Sequence, residues 1–99
     1  MTFDPVALTL QIKKVITIQA LHHTYSRYAS RLNKVHLSAC WTSLGHLAVK
    51  PAERLRLQTN LVRMMPLVLH TVQAVNAGAL GARELANVAY GAARSVRDN

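Results

Sequence analysis

Arg83, Asn87, Tyr90, Arg94 and Arg97 recur at i, i+4, i+7, i+11 and i+14 near the end of the chain. That spacing gathers them on one face of a helix, with Leu85, Val88, Ala89, Ala92 and Val96 covering the other side. Guanidiniums fork onto phosphate oxygens, and a phenol beside an amide suits stacking and hydrogen bonding on an exposed base. An ordinary solvated helix face, with Tyr90 partly in the core, would carry the same pattern. Further cations lie in Lys50, Arg54 and Arg56, just after Pro51 on an expected turn, and in the pair Lys13 and Lys14. A weaker polar row, His23, Arg27, Ser30 and Lys34, stands opposite a Leu/Tyr stripe.

Other chemistries find little support. His22, His23, His36, His46 and His70 are scattered, and no carboxylate or second cysteine joins them at zinc-ligand spacing. Cys40 beside Trp41 reads as core, since a nucleophile needs a basic partner that the sequence does not place. Asp4, Glu53, Glu84 and Asp98 are dispersed, with no paired carboxylates for acid–base work, and Gly78 and Gly81 match no phosphate loop. The expectation is a protein that is not an enzyme and needs no cofactor or metal.

Charge narrows the partners. Twelve Lys and Arg, eight of them Arg, face four acids, for a formal net charge of +8. Such a field favours a polyanion such as RNA, DNA or an anionic membrane surface. The apolar runs fall short of the ~20 residues that a membrane span needs. A lone cysteine allows no internal disulfide and fits a thiol-reducing compartment. The N-terminus, with Asp4 and Pro5 before Lys13 and Lys14, fits neither a secretory signal nor an Arg-rich, acid-poor transit peptide.

The elements that must position these groups are helices. With 51% apolar and only 5% aromatic residues, the core has to be built mainly from Leu, Val and Ala, and no alternating run is bounded by a hairpin dipeptide. The expected fold is all-α: one domain over 1–99, a short α-solenoid of about five antiparallel helices in roughly two repeats. Residues 1–15, where Val6, Leu8, Leu10 and Ile12 alternate, are read as an extended or irregular arm. Thr17 caps a helix to about Arg31, with Leu21, Tyr25, Tyr28 and Leu32 as its apolar stripe. Asn33 ends it or caps the next helix, about 35–49, whose inward residues are Leu37, Cys40, Trp41, Leu44 and Leu47. Pro51 biases Lys50 out of the helical region. Pro66 splits the helical pattern of 51–77 into a piece from Pro51 to about Leu61 and one from about Met64 to Val75. Asn76, Gly78 and Gly81 make the next break, and a last helix spans about Ala82 to Val96.

An internal echo links two of these helices. Leu37-Ser-Ala-Cys-Trp-Thr-Ser-Leu-Gly-His46 aligns with Leu85-Ala-Asn-Val-Ala-Tyr-Gly-Ala-Ala-Arg94 at an offset of 85 − 37 = 48 residues. Ser38 falls on Ala86, Ser43 on Gly91 and Gly45 on Ala93, small residues that let a neighbouring helix come close. Residues 82–94, ARELANVAYGAAR, resemble the Leu-Ala-Asn-x-x-Trp-Ala-Leu-Ala signature of the octotricopeptide repeat family, with Tyr90 in the Trp place. The stretch from Ile16 to Leu47 is similar to the first repeat of those proteins and of the related RAP-domain and FAST-kinase-like proteins. The sequence has two repeats where that family has many, and Trp41 falls one position off the motif's Trp place.

The resemblance implies paired antiparallel helices and an RNA-associated role in mitochondria, with plastids as the alternative. By the offset of 48, the middle helix offers Val35, Ala39, Thr42, His46 and Val49, too apolar to read nucleotides, so the chain is expected to grip backbone. The function expected is a structural RNA-binding protein of an organellar ribonucleoprotein: a lineage-specific mitochondrial ribosomal protein docked on rRNA beside neighbouring ribosomal proteins. The alternative is a helical protein-interaction module, an accessory subunit of another organellar complex, with Val35, Ala39 and Val49 buried against protein.

Overall fold

The computed structural model describes residues 2–96; Met1 and Arg97, Asp98 and Asn99 lie outside the described residues. The fold is all-α, with α1 Pro5–Lys13, α2 Ile18–Tyr28, α3 Lys34–Leu47, α4 Pro51–Thr59, α5 Met65–Asn76 and α6 Ala82–Ser95. Two 3₁₀ turns, Ala29–Arg31 and Leu61–Met64, follow α2 and α4.

The sixth helix is α1, and it corrects the reading of 1–15 as an extended or irregular arm. Asp4 is an N-cap whose Oδ1 accepts from the Val6 and Ala7 N–H groups, and Pro5 sits at the first helical position, where its missing N–H is harmless. The alternating Val6, Leu8, Leu10 and Ile12 conceal a helical pair. Leu8 and Ile12 are buried and Val6 and Leu10 exposed. Phe3, ahead of the helix, lies edge-on to His36 and is covered by the Arg31 guanidinium 5.1 Å from its ring centre.

The remaining breaks fall where the sequence places them. Thr17 caps α2, and Asn33 and His36 form a reciprocal cap on α3: Asn33 Oδ1 accepts from the Val35 and His36 N–H groups, while His36 Nδ1 accepts from the Asn33 N–H. Lys50 is extended before Pro51, and Pro66 occupies the first turn of α5 behind the Leu61–Met64 turn. Gly78 holds a φ of +69° at the bend between α5 and α6, a conformation that costs residues with a Cβ about 1–2 kcal/mol.

The helices form two layers about α3, whose residues 36–48 are buried apart from Thr42 and His46. Contacts fix the directions. Pro5 O accepts from His36 Nε2 and Ile12 O from Ser43 Oγ, so α1 runs parallel to α3. On the other flank Asn87 meets Ser38 and Gly91 meets Trp41, so α6 also runs with α3, in the most extensive contact between helices. The two halves of the internal echo thus lie side by side. In the second layer α2 runs with α5, because Ile18 neighbours Met64 while the Tyr25 hydroxyl donates to Pro66 O. Between the layers Trp41 is 7% exposed, and its Nε1–H donates to Thr71 Oγ1 at 2.9 Å. The radius of gyration, 12.8 Å, is that of a compact domain this long, about 13 Å.

Candidate nucleic-acid interface

Arg83, Asn87, Tyr90 and Arg94 share a flank of α6, and the helix is rolled so that Asn87 and Arg94 are half-buried while Arg83 and Tyr90 stay exposed. Gly91 is its buried residue, and it presses on the α3 backbone at Trp41 so closely that a Cβ there would sit 2.0 Å from Trp41 O. Turning Gly91 inward brings Asn87 with it. Asn87 Nδ2 donates to Ser38 Oγ at 2.7 Å, a half-buried tie between helices and not an open base reader. Tyr90 lies against Gly45, meets the His46 ring edge-on at 5.8 Å and carries the Arg94 guanidinium 5.2 Å from its ring centre. Arg94 thereby covers one face of the ring, while Tyr90 as a whole stays 38% exposed. Arg94 is half-buried, and its Nε is buried with no hydrogen-bond partner among the described residues. Of the expected cover, Val88 and Ala92 pack on the core whereas Leu85, Ala89 and Val96 are exposed. Arg83 remains at the surface, and Arg97 lies outside the described residues.

The cluster after Pro51 is also divided, because these residues begin α4 instead of forming a turn. Lys50 is exposed. Arg54 is a strut: its Nε donates to Ala48 O at 2.9 Å and its Nη2 to Arg94 O at 3.3 Å, tying the ends of α3 and α6 together. Arg56 faces away toward α2. Arg27 is exposed, its guanidinium 5.5 Å from the Tyr28 ring centre, and His23, Ser30 and Lys34 are exposed as well.

What the fold does assemble is a groove of about 440 Å³ along the α1–α3–α6 layer. Lys13 comes to it from the end of α1, and Arg83, Glu84 and Asn87 from α6. Val35, Ser38, Ala39 and Thr42 of α3 form the floor. Its polar atoms are largely engaged, since Ser38 Oγ accepts from Asn87 and the Thr42 hydroxyl donates to Ser38 O. The groove therefore carries one ammonium and one guanidinium beside the Glu84 carboxylate, which is turned to the Gly81 N–H, a net positive lining suited to phosphate contacts more than to base reading. Lys14, one residue on, borders a separate open depression between α1 and α2.

Three of the four acids serve helix starts. Asp4 caps α1, Glu53 Oε1 accepts from the Ile18 N–H at 2.7 Å at the start of α2, and Glu84 Oε1 accepts from the Gly81 N–H at 2.8 Å at the start of α6. Among the described residues none of the three forms an ion pair. The spacing Gly81-x-x-Glu84 carried this signal at α6; the link from Glu53 to Ile18 had none.

Cys40 lies wholly inside, and burial pushes its thiol up to about 12, which makes it inert packing. Among the described residues no group of histidines, cysteines and acids is arranged to hold a metal, and no helix is long and apolar enough to cross a membrane. No family model, curated protein or solved structure matches the chain.

Proposed function

We propose that the chain is a structural RNA-binding protein of an organellar ribonucleoprotein, a lineage-specific mitochondrial ribosomal protein that grips rRNA backbone. One observation carries the reading. A chain of net charge +8 turns its described carboxylates to helix N-termini, Glu84 in the groove among them, and Lys13 and Arg83 line that groove with no ion pair among the described residues. Unpaired surface cations in a concave setting raise the local potential for a polyanion. The organellar setting rests on the resemblance of 82–94 and of Ile16 to Leu47 to octotricopeptide repeats. The engagement of Asn87 with Ser38 favours backbone holding over base recognition.

The test is salt-dependent RNA binding. Each phosphate contact contributes about 0.7 to 0.9 to the slope of log affinity against log salt, so Lys13→Gln with Arg83→Gln should flatten it by about 1.4 to 1.8. An unchanged slope would remove the groove as the contact surface. In extracts the protein should stay with ribosomal particles and leave on RNase treatment.

A second reading, a protein-interaction module, has its own observation. Leu61, Val62, Met65, Leu69 and Val72 leave an exposed apolar row along and before α5. Binding through that row would be nearly indifferent to salt.

A further inference from the structure

The bend between α4 and α5 builds a second cleft, about 170 Å³, floored by buried Ile18 and Met64. Around it stand Arg56 and Asn60 of the α4 end, Arg63 of the 3₁₀ turn after it, and Gln19 and His22 of α2. The local sequence dictates the bend. Pro66 in a continuous helix would clash with the carbonyl of Val62 and remove a donor. The chain therefore leaves α4 at Asn60, whose φ of −130° and ψ of 36° are not helical, and makes the turn Leu61–Met64 before resuming. In a straight helix Arg56 and Arg63 would sit about 10 Å apart along the axis; the broken chain lets both line one cleft with α2.

The side chains point to a ligand. Neither Arg56 nor Arg63, nor Gln19 nor His22, makes a side-chain hydrogen bond or ion pair among the described residues. Asn60 Nδ2 is held by Arg56 O and Thr59 Oγ1, which fixes that amide at the rim. Glu53, whose Oε1 accepts from the Ile18 N–H, does not line the cleft. Two guanidiniums with an imidazole and an amide form a donor-rich, apolar-floored recess. Paired guanidiniums match the oxygens of a doubly charged phosphoryl group better than the single charge of a phosphodiester.

We infer that this cleft binds a terminal phosphate group, a phosphomonoester. Its source is the 5′ end of an RNA or a small free phosphate, and only the first source rests on the RNA reading above. Two titrations test it: inorganic phosphate, and one short RNA carrying either a 5′-phosphate or a 5′-hydroxyl. The wild-type chain should bind inorganic phosphate, and Arg56→Gln with Arg63→Gln should weaken it at least about tenfold, as losing about 1.4 kcal/mol or more of charged hydrogen bonding requires. Arg63→Lys should retain part of the affinity. A preference for the 5′-phosphate that disappears in the double variant assigns the site to RNA ends. Equal affinity for both RNAs, with phosphate binding still lost in the double variant, assigns it to small phosphates. If the wild type binds phosphate but neither RNA, the cleft stands and the RNA reading falls. If the double variant binds phosphate as tightly as the wild type, with unchanged circular dichroism, the inference is overturned.

Discussion

Replacing Gly91 by Ala should damage this protein although helix propensity says the opposite. In an isolated helix the change would stabilise by about 1 kcal/mol. Here a Cβ on Gly91 would meet Trp41 O at 2.0 Å, Trp41 C at 2.5 Å and Trp41 Cα at 3.0 Å. All three are backbone atoms, so no rotamer change relieves the contact. Ordinary contact begins near 3.4 Å, so α3 and α6 must part by about 3.4 − 2.0 = 1.4 Å where they cross. A uniform shift of that size would stretch the Asn87–Ser38 hydrogen bond from 2.7 Å to about 4.1 Å, beyond bonding range. Overpacking of this kind costs about 1–3 kcal/mol and the lost bond about 1 kcal/mol more. After the propensity gain the net loss is about 1–3 kcal/mol. For a domain this size each kcal/mol lowers Tm by about 4–8 °C, so thermal unfolding followed by circular dichroism should show a fall of about 5–20 °C. A Gly91→Ala protein as stable as the wild type, or more so, would refute the close crossing of α3 and α6 and with it the inward placement of Asn87. Gly81→Ala is the control, since its nearest neighbour is the movable Glu84 carboxylate at 2.9 Å.

Trp41→Ala should cost about 3–5 kcal/mol by emptying the space between the layers, and the wild-type fluorescence maximum should be that of an indole shielded from water. Cys40 should resist a thiol reagent in the folded protein and react once urea unfolds it. Because its folded pKa is raised from 9.0 to about 12, its thiol supports folding fully below 9 and progressively less as pH climbs toward 12. Urea titrations across that range should show the wild type losing up to about 4 kcal/mol more than Cys40→Ala; equal losses would contradict the burial. Arg54→Gln should lower stability through the freed carbonyls of Ala48 and Arg94 while leaving the salt slope of RNA binding intact, whereas a flattened slope would make Arg54 a phosphate contact.

Much of this protein was legible in its residues because local rules acted alone. Thr17, Asn33, Pro51 and Pro66 set helix starts through caps and missing donors, and the 3.6-residue period sent Leu37, Cys40, Trp41, Leu44 and Leu47 to the core. The helix at 5–13 was missed because Val6, Leu8, Leu10 and Ile12 satisfy a two-residue alternation as well as an i, i+4 pair. The cap Asp4-Pro5 was the signal that could have decided it. The side of α6 that faces inward could not be read from periodicity, which groups residues on a face without saying what the face meets. That choice belongs to the one position without a Cβ, Gly91, packed on a backbone fifty residues earlier. Likewise Lys13 and Arg83 come from opposite ends of the chain, and only the parallel packing of α1 and α6 on α3 makes them walls of one groove. Composition determined that cations would be in excess. Tertiary structure decided how the charges are used: the acids among the described residues sit on helix N-termini, and Arg54 holds carbonyls left open at helix ends.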